Sequence, residues 1–159
     1  MNNVYLFQVN YTVNMGGVDS LWLPYSTGCL AATAKSMPDI NDYYTFGPEL
    51  FCKREDPQEV MKRIDNPVIV GFSNYVWNTE WNRVMSRVIK EAYPECIVVF
   101  GGPNVWDGYI EQEGNSHIDV ILKNEGEFAF LELLRKNIDG EKIPAYMTGE
   151  RIHDLGALP

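Results

Sequence analysis

Pro67-Val68-Ile69-Val70-Gly71-Phe72 and Cys96-Ile97-Val98-Val99-Phe100 are apolar almost without interruption, and Ile118-Asp119-Val120-Ile121-Leu122 is broken only by Asp119. Short continuous runs of this kind belong to strands buried on both faces of a parallel sheet. Val4–Val9 is a further mostly apolar, β-prone run, and Asp42–Phe46 ends at the turn signal Gly47-Pro48. Between these runs the period changes to that of a helix. Thr79–Ala92 places Trp81, Val84, Met85, Val88 and Ile89 at helical spacing, and Glu127–Lys136 does so with Phe128, Leu131, Leu133 and Leu134. Leu21–Met37 predicts a helix stopped by Pro38, after a loop over 10–20 broken at Gly16-Gly17. Asp56 before Pro57 predicts a capped short helix to about Ile64, and a late strand falls around Ala145–Met147. Alternating strands and helices give an α/β fold of three layers, with a mainly parallel five-stranded sheet covered on both faces. The strands at 4–9, 67–72, 96–100 and 118–122 are expected at its centre.

The chain has 159 residues, enough for one domain that buries about two thirds of its unfolded surface. Thirteen Lys and Arg against twenty-two Asp and Glu give a net charge of −9. Such a surface repels phosphate backbones, so no direct nucleic-acid partner is expected. No run approaches the roughly 20 apolar residues of a membrane span, and the first residues carry no signal-peptide pattern. Cys29, Cys52 and Cys96 lie far apart, without disulfide or zinc spacing. They read as buried reduced thiols, which implies a cytoplasmic setting.

Ligands of an open parallel sheet bind at the carboxyl ends of its strands. The loops there carry the candidate residues: Asn10 after the first strand, then Ser73, Asn74 and Tyr75, then Gly101, Gly102 and Pro103, then Glu125 and Gly126. Gly101-Gly102 allows a ligand close to the backbone or simply makes a tight turn, and both readings stand. Ser73 either donates to a ligand or caps the helix region at Thr79. Tyr75 and Trp77 are loop aromatics of the kind that line pockets or interfaces, whereas Trp81 reads as core. Glu125 and Glu127 flank a helix start, where carboxylates favour the helix dipole. A dinucleotide fingerprint, a Walker loop and a nucleophile elbow are all missing. His117 and His153 have no partner at metal spacing, so no metal ligands are expected.

Val70-Gly71-Phe72-Ser73, Trp77-Asn78, Tyr93-Pro94, Val98–Pro103, Ile118-Asp119-Val120 and Asn124-Glu125-Gly126-Glu127-Phe128, in this order and spacing, resemble the N-terminal cobalamin-binding-type domain of class B radical-SAM proteins. Leu23–Gly28 resembles the first helix of that family, and Leu155–Pro159 its linker toward the radical-SAM barrel. The resemblance implies a flavodoxin-like domain over 1–148 and a linker over 149–159. It implies a cobalamin nucleotide tail between sheet and helices, touched by Ser73 and by Gly101 and Gly102, where a Cβ on Gly102 would take space the tail needs. Two departures stand out. The usual leucine two residues past the serine is Tyr75, which narrows the channel, and the loop over 10–20 holds no histidine to ligate cobalt from below. Cobalamin would therefore bind without a histidine lower ligand.

A Cys-x-x-x-Cys-x-x-Cys motif is absent, so an iron–sulfur cluster and S-adenosylmethionine belong only to a downstream radical-SAM domain, in cis or in trans. The implied function is a cobalamin-binding module that is not catalytic alone. A structural or substrate-recognition module without cobalamin, and a binder of another nucleotide cofactor, remain as alternatives.

Overall fold

Six strands lie side by side and every neighbouring pair runs parallel. The computed structural model describes residues 2–15, 18–48, 50–154, 156 and 158–159, with the backbone alone for 12–15 and 18–21. β1 (Asn2–Phe7) leads into an antiparallel hairpin of β2 (Thr12–Met15) and β3 (Val18–Leu21). Then come α1 (Tyr25–Ser36), α2 (Pro38–Tyr43), β4 (Tyr44–Phe46), α3 (Pro57–Met61) and β5 (Pro67–Ser73). The chain continues with α4 (Thr79–Ala92), β6 (Ile97–Gly101), β7 (Val120–Lys123), α5 (Gly126–Ile138) and β8 (Tyr146–Thr148).

The sheet order is β4-β1-β5-β6-β7-β8, so the four strands expected at the centre occupy it. The count is six rather than five because Tyr146–Thr148 pairs fully with Ile121–Lys123. Numbered among themselves, the strands run 2-1-3-4-5-6, consistent with a flavodoxin-like sheet. That order turns back between β1 and β5.

Local chemistry explains the helix boundaries. Pro38 ends α1 and also starts α2, since its missing N–H costs nothing at a first helical position. The expected 42–46 strand is thereby shortened to Tyr44–Phe46, with Asp42 and Tyr43 in α2. Asp56 accepts the Gln58 N–H at 2.8 Å and caps α3. The expected loop over 10–20 contains the β2–β3 hairpin, while Gly16 and Gly17 lie outside the described residues, as do Leu155 and Ala157.

Two cores flank the sheet. On one face α1 and α5 bury Ala31, Ala34, Phe130, Leu133 and Leu134 against Val4, Leu6, Ile69, Val99 and Leu122. On the other, Val60, Ile64, Met85 and Ile89 of the α3–α4 side cover Phe7, Val70, Phe72, Val98 and Phe100. Here a row of rings crosses the strands: Phe7 stacks on Phe51 and on Phe72, both at 4.6 Å between centroids, and Phe72 lies 5.1 Å from Phe100.

Two helix faces differ from expectation. In α4 the buried residues are Asn82, Met85, Ser86 and Ile89, while Val84 is 48% exposed. In α5 Phe128 is 43% exposed and Phe130 is buried in its place. Cys96 is buried as expected, but Cys29 and Cys52 are only half-buried, and all three are free. Among the described residues no helix is long and apolar enough to cross a membrane.

Candidate functional site

The strand order reverses between β1 and β5, and a cleft opens there between the carboxyl ends of the strands and the α1–α5 layer. It holds about 620 Å³ of atom-free space, part of it open to solvent. Leu6, Gly71, Ser73, Val99, Gly101 and Leu122 line it from the sheet, and Ser26, Leu30, Gly126 and Phe130 from the helices.

Alternation along the strands builds this wall. Successive residues face opposite layers, so Gly71 and Ser73 of β5 share a face, as do Val99 and Gly101 of β6. Register sets Ser73 beside Gly101, and Gly101 beside Leu122. The 28-residue separation of Ser73 and Gly101 in sequence thus becomes direct adjacency. Glycine lets leucine side chains close on the backbone here. A Cβ on Gly71 would lie 2.8 Å from Leu6 Cδ2, and one on Gly126 would lie 3.2 Å from Leu30 Cδ2. The result is a narrow, mainly apolar slot with hydroxyls at one side, suited to a flat ring bearing one or two polar atoms.

Ser73 is 7% exposed. Its hydroxyl does not cap α4; Ser73 Oγ lies 3.0 Å from Ser26 Oγ, in the first turn of α1. Ser26 in turn donates to Gln8 Oε1 at 2.7 Å, and Thr27 N–H donates to the same oxygen at 3.3 Å. Gln8 is 6% exposed, so this amide oxygen is a buried anchor for the start of α1.

Asn74 turns away from the cleft. It is fully buried and donates to Asn104 O at 2.8 Å and to the Tyr109 hydroxyl at 3.1 Å, while its own oxygen accepts from Asn82. Burial raises the Tyr109 phenol pKa, with the Asn74 amide opposing the rise. Asn78 joins the same network. It donates to Val9 O at 3.0 Å and Ser73 O at 2.9 Å, and accepts the Tyr75 N–H at 2.8 Å. One buried side chain therefore ties the ends of β1 and β5 together at the point of reversal.

Gly101, Gly102, Gly126, Ser73 and Tyr75 line the cleft, and Pro103 is exposed beyond it. Gly102 has φ of +97°, and a Cβ there would lie 2.8 Å from Asn74 O and 3.0 Å from Asn74 N. The backbone of the loop after β5 by itself demands glycine at this position, a tight-turn requirement that holds whether or not a ligand is present. Glu125 is exposed at the start of α5, and its carboxylate accepts from Ile152 N–H. Asn10 is 6% exposed and donates to Trp22 O at 2.9 Å. It lines a neighbouring groove with Gln8, Tyr11, Trp22, Tyr25, Tyr75 and Trp77. Tyr75 borders both cavities and stacks on Trp77 at 4.5 Å, with Tyr11 edge-on to Trp77.

Sequence reasoning missed Ser26, Leu30, Gly71 and Phe130. For Gly71 a signal exists: a glycine inside a buried strand marks close approach or empty space. Among the described residues no group of three or more His, Cys, Asp or Glu side chains is arranged to hold a metal ion. His117 lies 2.8 Å from Ser86 Oγ on the α4 side of the sheet and His153 is exposed near the chain's end; neither lines the cleft.

No family model matches the chain. It is 34% identical over 144 residues to 2-(S-pantetheinyl)-carbapenam-3-carboxylate methyltransferase of Streptantibioticus cattleyicolor, a match covering 87% of this chain and 20% of that protein. It is also 34% identical over 116 residues to the cobalamin-dependent radical SAM methyltransferase TokK of Streptomyces tokunonensis, covering 71% of this chain and 17% of that one. Protein HRI1 of Saccharomyces cerevisiae is 28% identical over 151 residues, 89% of this chain and 56% of the yeast protein. The chain thus spans about a fifth of the length of the two methyltransferases and about half that of the yeast protein.

Proposed function

We propose that this chain is the cobalamin-binding module of a cobalamin-dependent radical-SAM enzyme and is not catalytic by itself. The observation that carries the reading is the slot at the β1–β5 reversal, walled by Ser73 and Gly101 in register, in a chain similar to TokK over 71% of its length. The slot suits a nucleotide tail: it is narrow, mainly apolar, partly open to solvent and bordered by glycines on both walls. Ser73 would hold the tail's polar atom, while Leu30, Leu122 and Phe130 would pack its ring. Bound cobalamin supplies a cobalt centre able to carry a methyl group. No histidine borders the cleft or the aromatic groove, so the cobalt would have no histidine lower ligand from this chain. The iron–sulfur cluster and S-adenosylmethionine belong to a radical-SAM domain in cis or in trans, the module ends near residue 148, and the setting is cytoplasmic.

Tyr75 favours a second reading, a structural or substrate-recognition module that has lost cobalamin. Its ring stands at the cleft, held by Trp77. Hydroxocobalamin mixed with the purified chain and then desalted separates the two. A corrin absorption spectrum retained by the parent supports the module. Retention by Tyr75→Leu but not by the parent supports the second reading, and retention by neither overturns the first.

A further inference from the structure

We propose that Ser26 is a positioning residue for this cleft, acting through Ser73 as the second hydroxyl of a two-step relay that starts at Gln8. The proposal rests on the cobalamin reading and deepens it by assigning how the tail's polar atom is met.

The argument is one of donors and acceptors. A backbone N–H can only donate, so Thr27 N–H at 3.3 Å identifies the Gln8 atom it faces as the amide oxygen. Ser26 Oγ, 2.7 Å from that oxygen, spends its one proton on it. Ser73 Oγ, 3.0 Å from Ser26 Oγ, then donates to Ser26. In this order the Ser73 proton points away from the cleft, and no buried hydroxyl proton goes unpaired.

A ligand with a bare ring nitrogen, such as a benzimidazole released from its metal, needs a donor. The pair can supply one by reversing. Ser26 turns its proton to Ser73 Oγ, and Ser73 turns its own to the ring nitrogen. Gln8 Oε1 keeps the Thr27 N–H at 3.3 Å, so it is not orphaned, while the Thr27 hydroxyl donates its one proton to Pro24 O at 3.2 Å. Without Ser26, Ser73 has neither the partner that aims it nor the donor behind it. Ser26 sits at the first turn of α1 and Ser73 at the end of β5, so the relay also spans the two walls of the slot.

The test is a binding titration with two probes, hydroxocobalamin and dicyanocobinamide, a corrin lacking the nucleotide tail. Parent, Ser26→Ala, Ser26→Thr, Ser73→Ala and the double alanine variant are compared, with circular dichroism and thermal midpoints to establish folding. Each single alanine is expected to weaken hydroxocobalamin by about fivefold, the worth of one neutral hydrogen bond. The double variant should be no weaker than Ser73→Ala alone, because Ser26 acts through Ser73. Ser26→Thr keeps the hydroxyl and should bind like the parent. Dicyanocobinamide affinity should not change across the set. Undiminished hydroxocobalamin binding by a folded Ser26→Ala, an equal loss with both probes, or additive losses in the double variant overturns the role of Ser26 and leaves the cobalamin reading standing. A parent that takes up neither probe overturns both.

Discussion

Gly102 and Gly126 both border the cleft, yet a side chain at each would meet different neighbours. At Gly102 it would strike the Asn74 backbone from a left-handed conformation; at Gly126 it would meet the movable end of Leu30. Gly102→Val is therefore expected to lower the thermal midpoint whether or not a ligand is present, as a scan by circular dichroism would read. Two titratable residues away from the cleft give further checks. Burial pushes the Cys96 thiol up to about 12, despite the opposing charge of Lys90. Cys96 should resist alkylation at neutral pH in the folded chain, while the half-buried Cys29 and Cys52 react first; mass spectrometry of labelled peptides reads the order. Desolvation, with Arg87 and Arg83 nearby, lowers the His117 pKa. The unfolded chain then takes up a proton before the folded one does. His117 contributes full stability above the ordinary imidazole range and loses it as pH falls through that range. Urea midpoints should drop more between pH 8 and pH 5 for the parent than for His117→Gln.

Among the elements, α4 carries the most unusual load. Its buried face pairs Met85 and Ile89 with Asn82 and Ser86, and Asn78 just before it reaches across to Val9 and Ser73. Removing Asn78 would take the side-chain partner from Val9 O and from the Tyr75 N–H, and would leave Ser73 O with the longer bond from Asn82 at 3.3 Å. Asn78→Ala should cost roughly 3 kcal/mol in urea unfolding, because several buried polar groups lose a bond at once. This arrangement also marks where sequence reading stopped. The apolar runs of β5, β6 and β7 were legible because strands buried on both faces need apolar side chains at every position. The face of α4 was not, because a buried asparagine serving a network looks like a surface residue until its partners are known. Val84 and Phe128 show the converse, apolar residues at helical spacing that the fold leaves partly exposed. Ser26 could not be found from spacing at all: its partner Ser73 lies 47 residues away, and only the placement of α1 over the end of β5 joins them.

At the scale of the molecule, the 2-1-3-4-5-6 strand order decides where a ligand goes. Continuous apolar runs alternating with helical periods announced the parallel sheet, and the expected central strands are the ones found there. The loops that follow them were legible as ligand-facing, because strand ends in such sheets face one edge. What remained hidden was which loop residues turn toward the slot and which turn inward: Ser73 lines it, while Asn74, the next residue, is locked beneath it. The central claim is that this slot receives the nucleotide tail of cobalamin. The most direct measurement is the cobalamin retained per chain after desalting, for the parent and for Gly126→Ala, whose Cβ narrows the slot against Leu30 alone. The account predicts one equivalent on the parent and a clear loss on a variant that melts like the parent. No corrin absorbance on the parent, or equal retention by a folded Gly126→Ala, would contradict it.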